Sequence, residues 1–190
     1  MLKKAKNLSE EITWVLEDID KWIPDEKCDL IFSNATLHWL DNHEKLFPIL
    51  MNHLNPNGVL AIQMPNNFEA PTHKNIYETA KTGPWAESLI PLIREMPVLD
   101  ISHYYRILNP ISKLVNIWQT IYSHFLEGEN PVVEWMKGSA LRPFLKKLDE
   151  NMKSKFLKQY TSKIQQFYVQ EYDGKTIFPF KRIFIVAIKN

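Results

Sequence analysis

Glycine is scarce in this chain of 190 residues: five are present against twelve prolines, and the first is Gly58. No Gly-x-Gly occurs. The tight glycine-rich turn by which many α/β proteins bring backbone against a nucleotide-like ligand is therefore missing, which by itself argues against such a site. Cysteine is limited to Cys28, which excludes an internal disulfide and a cysteine metal cluster and makes the cytoplasm the default compartment. No apolar run approaches the ~20 residues of a membrane-spanning helix. Met1 to Lys6 carry three lysines, but no apolar stretch with a small-residue cleavage site follows, so no secretory signal is expected. A net charge of +1 gives no case for a nucleic-acid or anionic-membrane partner. His38, His43 and His53 lack a fourth ligand at metal spacing, so no metal site is expected. What is present, 45% hydrophobic and 24% charged residues, suits an ordinary globular domain with one real core.

The pattern along the chain is α/β. Leu2, Ala5 and Leu8 have helical spacing, and Ile12 to Leu16 is a short run of β-type residues. Cys28 to Asn34 reads as a strand, apolar enough to be buried on both faces. From His43 to Leu54, Leu46, Phe47, Leu50 and Leu54 form one helical stripe. Asn55-Pro-Asn-Gly58 is a turn, with Gly58 as its left-handed residue, and Val59 to Met64 is a second buried strand ended by Pro65. Strand, helix, turn and strand in that order predict a parallel βαβ unit. Helices are expected at Thr72–Thr82, Ala86–Arg94, His103–Leu108, Pro131–Lys137 and Pro143–Phe167, the last with a solvated lysine-rich face. Strands are expected at Lys113–Phe125 and Ile177–Ile188.

Several local words recur together. Leu16-Glu-Asp-Ile19, Cys28-Asp-Leu-Ile-Phe-Ser-Asn-Ala-Thr-Leu-His-Trp-Leu40 and Gly58-Val-Leu-Ala-Ile-Gln-Met-Pro-Asn-Asn67 resemble class I S-adenosylmethionine-dependent methyltransferases. Downstream, Val133-Glu-Trp-Met-Lys-Gly138, Leu141-Arg-Pro-Phe144 and Phe178-Pro-Phe-Lys-Arg-Ile-Phe184 resemble the trans-aconitate methyltransferase family in its own order, over essentially the whole chain. The resemblance implies a Rossmann-like class I methyltransferase sheet with an inserted helical cap. It also implies that about 50 residues of the family pattern, the N-terminal strands and glycine-rich loop, are missing ahead of Met1. On that reading 1–190 is a single partial methyltransferase domain. Residues 1–67 form the later part of the cofactor core, 68–112 and 126–170 the cap and substrate elements, and 113–125 and 177–188 the last strands. An exposed apolar edge on the Cys28–Asn34 strand is then expected.

The same resemblance places the cofactor, S-adenosyl-L-methionine, on Asp18, Ile19, Asn34, Ala35 and Trp39. Candidates for the substrate are His38, Gln63, His73, Trp85, Tyr105, Arg142 and Arg182, with Tyr104 and Trp135 as further walls. No residue is expected to act as acid or base, because a carboxylate acceptor is already ionised at pH 7 and needs only alignment and a cation. Arginine suits that role, because its planar fork binds carboxylate bidentately. The partner is therefore a small-molecule carboxylic acid, with trans-aconitate-like tricarboxylates as the class. Two alternatives stay open: another small-acid or acyl substrate, and a non-catalytic remnant or interaction subunit whose partner supplies the missing strands.

Overall fold

The computed structural model describes residues 11–94 and 96–190. The helix expected over Leu2, Ala5 and Leu8 lies outside them. The elements in chain order are β1 (Cys28–Asn34), α1 (His43–Asn52), β2 (Leu54–Pro65), α2 (Pro71–Thr82), α3 (Ala86–Leu89), α4 (Ile101–Leu108), β3 (Ser112–Leu126), α5 (Pro131–Lys137), α6 (Arg142–Lys146), α7 (Glu150–Ile164) and β4 (Thr176–Lys189). Short 3-10 turns at Leu37–Trp39, Ile90–Leu92 and Asn109–Ile111 complete the set.

The fold is mixed α/β. Its four strands form one sheet in the order β1-β2-β4-β3. β1 and β2 are parallel, in register from Leu30 opposite Val59 to Asn34 opposite Gln63, and α1 crosses between them as the βαβ spacing requires. β4 runs antiparallel to β2, and β3 antiparallel to β4 along almost its whole length. Opposed residues share a face, so Ile31, Leu60, Ile62, Met64, Ile183, Ile185 and Ala187 form one buried layer. It packs against Leu46, Phe47, Leu50 and Met51 of α1 and Tyr104 and Leu108 of α4. A second core joins α2, α3, α5, α6 and α7 around Ile76, Trp85, Met136, Phe144, Phe156 and Tyr160, with Phe178 reaching in from β4.

Four expectations are corrected. Ile12 to Leu16 forms no strand, and Ile12, Val15 and Leu16 are exposed; among the described residues no strand lies beside the outer edge of β1 to pair with it, and β propensity without a ladder does not make a strand. β1 is covered on one side only: Ile31 is buried, whereas Leu30 and Phe32 are 57% and 70% exposed. The 55–58 segment lies within β2 and is not a turn before it, and its left-handed residue is Asn57, at φ 67°, and not Gly58. Gly58 is demanded by space instead, since a Cβ there would lie 2.9 Å from the Asn55 carbonyl oxygen and 3.1 Å from that of Cys28. Finally, the long helix expected from Pro143 is two helices. Asp149 ends the link by capping α7, its carboxylate accepting from the Met152 N–H at 2.8 Å, a better use of aspartate than a helix interior.

No helix among the described residues is long and apolar enough to cross a membrane. Nor do they gather three or more His, Cys, Asp or Glu in a way that could hold a metal.

Candidate active site

Open α/β sheets bind ligands where strands end at their carboxyl edge, and here β1 and β2 end side by side. The Ala35 N–H donates to the Gln63 carbonyl at 2.9 Å, and Ala35 takes a left-handed φ of 51°, an unusual conformation for a residue with a Cβ. That turn leads into Leu37–Trp39. After β2, Asn67 staples the chain to β4: its side-chain oxygen accepts from the Lys181 N–H at 2.8 Å and its amide donates to the Lys181 carbonyl at 3.0 Å.

Between these two turns and the second core lies a cavity of about 120 Å³. Its polar lining includes His38, Asn67, His73, Tyr77, Arg94 and Ser139, and its apolar walls include Phe68, Met136 and Phe144. Arg94 is the only Lys or Arg among the described lining residues, and no carboxylate lines the cavity. His38 is 8% exposed, and its Nδ1 is buried without a hydrogen-bond partner. Burial first, then the positive charge of Arg94, brings its pKa down to about 4. Burial likewise lowers His73 to about 4, with His38 adding to the effect. Both imidazoles are therefore neutral at pH 7 and supply polar nitrogens without charge. A larger open groove of about 620 Å³ shares Asn67 and Phe68 with this cavity and is lined by both Glu69 and Asp100 beside Lys181, a poorer match to an acid.

The residues expected from the sequence divide clearly. His38, Trp39 and His73 line the cavity. Gln63 and Arg182 sit next to it at the strand ends and hold each other, Arg182 Nη1 donating to Gln63 Oε1 at 3.0 Å. The Arg182 guanidinium also lies over the Phe180 and Tyr122 rings, while Gln63 Nε2 stays buried and unpartnered. Asn34 is exposed at the end of β1, and Asp18 is exposed in a turn closed by the Lys21 N–H on its carbonyl. Ile19 packs on the edge of the sheet core.

Other candidates do not join the site. Trp85 is no wall: it is buried in the second core, with Nε1 donating to the Thr79 carbonyl at 2.7 Å. Gly83 lacks a Cβ to let that ring in, since one would fall 2.1 Å from it. Tyr104 is core, its hydroxyl 2.7 Å from His43 Nδ1, and Tyr105 is exposed on α4. Trp135 packs on His124 and Phe178. Arg142 is exposed at the start of α6 and lines no part of the cavity, to which its neighbours Pro143 and Phe144 contribute. Sequence reading missed Arg94 and Tyr77. The available signal was scarcity, for arginine occurs only at 94, 106, 142 and 182.

Known proteins decide the family. Residues 1–62 match the family model of a methyltransferase domain. A trans-aconitate 2-methyltransferase of Azoarcus sp. (strain BH72) is 38% identical over 189 residues, covering 100% of this chain and 74% of the relative. Another, from Yersinia pseudotuberculosis serotype O:1b (strain IP 31758), is 39% identical over 188 residues, covering 98% and 73%. The chain belongs to the trans-aconitate 2-methyltransferase family of class I methyltransferases. Solved structures agree on the fold of this family member. The YcgJ protein of Bacillus subtilis superposes with a TM-score of 0.59 at 12% identity, covering 100% of this chain and 78% of that one. A loganic acid methyltransferase solved with SAH gives 0.54 at 11% identity, covering 90% and 64%.

Proposed function

We propose that the chain transfers a methyl group from S-adenosyl-L-methionine to a carboxylate of a small polycarboxylic acid of the trans-aconitate class, with the cavity lined by His38, His73, Tyr77 and Arg94 as the acceptor pocket. The observation that carries this is its lining, which holds a single guanidinium and neutral imidazoles and no carboxylate, the exposed Asp41 that pairs with Arg94 not being a lining residue. On this reading β1, β2, β4 and β3 belong to a class I methyltransferase sheet, with 1–67 in the cofactor core and 68–112 and 126–170 forming a cap. S-Adenosylmethionine, when bound, supplies an electrophilic sulfonium methyl.

The residues present fit that group at the strand ends, where exposed Asn34 lies in register with Gln63, whose Nε2 is buried and unpartnered, and Trp39 is exposed in the turn that follows β1. Asp18, Ile19 and Ala35 complete the proposed cofactor set. The chain's own residues contribute position. Apolar walls at Phe68, Met136 and Phe144 exclude water and strengthen the pull of Arg94 on an anion. His38 and His73, neutral at pH 7, neither repel the cation nor need to remove a proton, because the acceptor oxygen is already ionised.

The test is incubation of the purified chain with S-adenosylmethionine and a panel of di- and tricarboxylates, followed by mass spectrometry. A monomethyl ester of trans-aconitate, formed in preference to esters of monocarboxylates, is expected. Absence of any ester while the protein binds S-adenosylhomocysteine would overturn the reading.

A second reading is favoured by one observation, the outer edge of β1, which no strand among the described residues pairs, with Leu30 and Phe32 exposed beside it. An open edge is a template for strand addition, so the chain would act as a subunit that pairs with a polypeptide supplying neighbouring strands. A light-scattering mass equal to one chain at micromolar concentration, together with full methyl transfer, would dismiss it.

A further inference from the structure

We infer that Arg94 holds the carboxylate of the acceptor acid and that Asp41 occupies its place at rest. The inference rests on the proposed carboxyl methyl transfer and names the group that recognises the acid. Three contacts fix the guanidinium: Nη1 donates to the His38 carbonyl at 2.9 Å, and Nη2 donates to the Leu40 carbonyl at 3.0 Å and to Asp41 Oδ1 at 2.6 Å. The two carbonyl contacts belong to the turn that follows β1, so they set the plane of the fork before any ligand arrives, which lowers the cost of binding. Of five N–H donors, Nε–H and one Nη1–H keep no partner among the described residues.

The two ends of the Arg94–Asp41 pair differ in exposure. The arginine side chain is 27% exposed and the aspartate 73%. An ion pair with one partner so open to water contributes little and exchanges readily. An incoming carboxylate of matching geometry replaces Asp41 without disturbing the carbonyl contacts.

A second observation points the same way from another residue. His38 Nδ1, buried and unpartnered, belongs to the same cavity lining as Arg94, so a buried polar group awaits a ligand atom beside the cation. An orphaned buried nitrogen is costly unless something pairs it. A polycarboxylate brings several acceptor oxygens to these two groups, and an ester or amide of the same acid brings no charge for Arg94.

The test titrates the full chain with trans-aconitate in the presence of S-adenosylhomocysteine by calorimetry, and measures KM and kcat for trans-aconitate. The proteins are wild type, Arg94→Gln, Arg94→Lys and Asp41→Asn, each checked by thermal melting. Arg94→Gln is expected to weaken binding at least ~10-fold, in line with a charge-assisted hydrogen bond, with kcat changed less than KM. Arg94→Lys falls between, because a point charge keeps attraction without the fork. Asp41→Asn removes the resting competitor and tightens binding several-fold at low salt, an effect that a merely structural role for the pair does not produce.

Arg94→Gln binding as tightly as wild type, or Asp41→Asn weakening binding as much as Arg94→Gln, would overturn the inference. So would wild type that binds no carboxylate in the presence of S-adenosylhomocysteine. Arg94-dependent binding without methyl transfer would leave the inference standing and defeat the proposed reaction. Methyl transfer with a KM indifferent to Arg94 would do the reverse.

Discussion

The two faces of the sheet are built from the same kinds of residue and differ in what lies over them. On the closed face Leu60, Ile62, Ile183, Ile185 and Ala187 are buried beneath α1 and α4. On the other, Leu30, Phe32, Leu114 and Trp118 face water, and Trp118 stacks on Phe184 at 5.1 Å between ring centres. Hydrophobic patterning within a strand reports what a face is suited to meet, whereas burial depends on which element reaches it. The closed face therefore carries the stability of the sheet, and the proposed chemistry lies at the strand ends beyond it.

The largest expected contrast is between Leu60→Ala and Phe32→Ala. Truncation at Leu60, which has no exposed surface, is expected to cost about 2–5 kcal/mol, a large part of the ~5–15 kcal/mol that holds a domain together. Phe32→Ala is expected to cost under about 1 kcal/mol, in line with a surface position. Denaturant titration of both variants checks it, and equal losses would mean that the open face is covered in solution.

Acid sharpens the same comparison. Leu30, Phe32, Leu114 and Trp118 carry no titratable group, whereas His38, His43 and His73 are held neutral by burial, the first and last at about 4. Between pH 6.5 and about 4 the unfolded chain binds protons at these sites and the folded chain does not, so stability is intact above pH 6.5 and declines as pH falls toward 4. Melting temperature followed from pH 7 to 4 should drop over that window. His73→Gln should flatten the decline, whereas Phe32→Ala should leave its shape unchanged.

Smaller still is the effect at the second core. Asp149→Ala removes the cap of α7 and is expected to cost about 1 kcal/mol, read as a shift of the denaturation midpoint with unchanged slope. Loss of cooperativity instead would show that the second core melts apart from the sheet.

Much of the fold was legible because its signals are local. Periodicity located β1, α1, β3, α5 and β4 within a few residues, and strand–helix–strand order required the parallel pair, although β2 begins at Leu54, inside the stretch whose Asn-Pro-Asn-Gly composition reads as a turn. Ile12 to Leu16 was not legible, since a strand needs a neighbour that no local pattern reports. The break at Lys147 to Asp149 was overlooked for a different reason, a capping aspartate read as part of a charged helical face. In the site, His38 and Trp39 follow from their place just after a strand end, and His73 from its place in the first turn of α2. Arg94 does not, because its relation to His38, Leu40 and Asp41 spans more than fifty residues of chain and depends on how the 3-10 turn after α3 folds back. Trp85 illustrates the converse: a large aromatic expected from the sequence as a pocket wall is core.

The most direct test of the account is a crystal structure of the chain with S-adenosylhomocysteine and trans-aconitate. The account predicts one carboxylate on Arg94 with Asp41 turned away, and a second carboxylate facing the strand ends at Asn34 and Gln63. An acid seated instead on Arg142 or in the groove beside Lys181, with the Arg94–Asp41 pair intact, would contradict it.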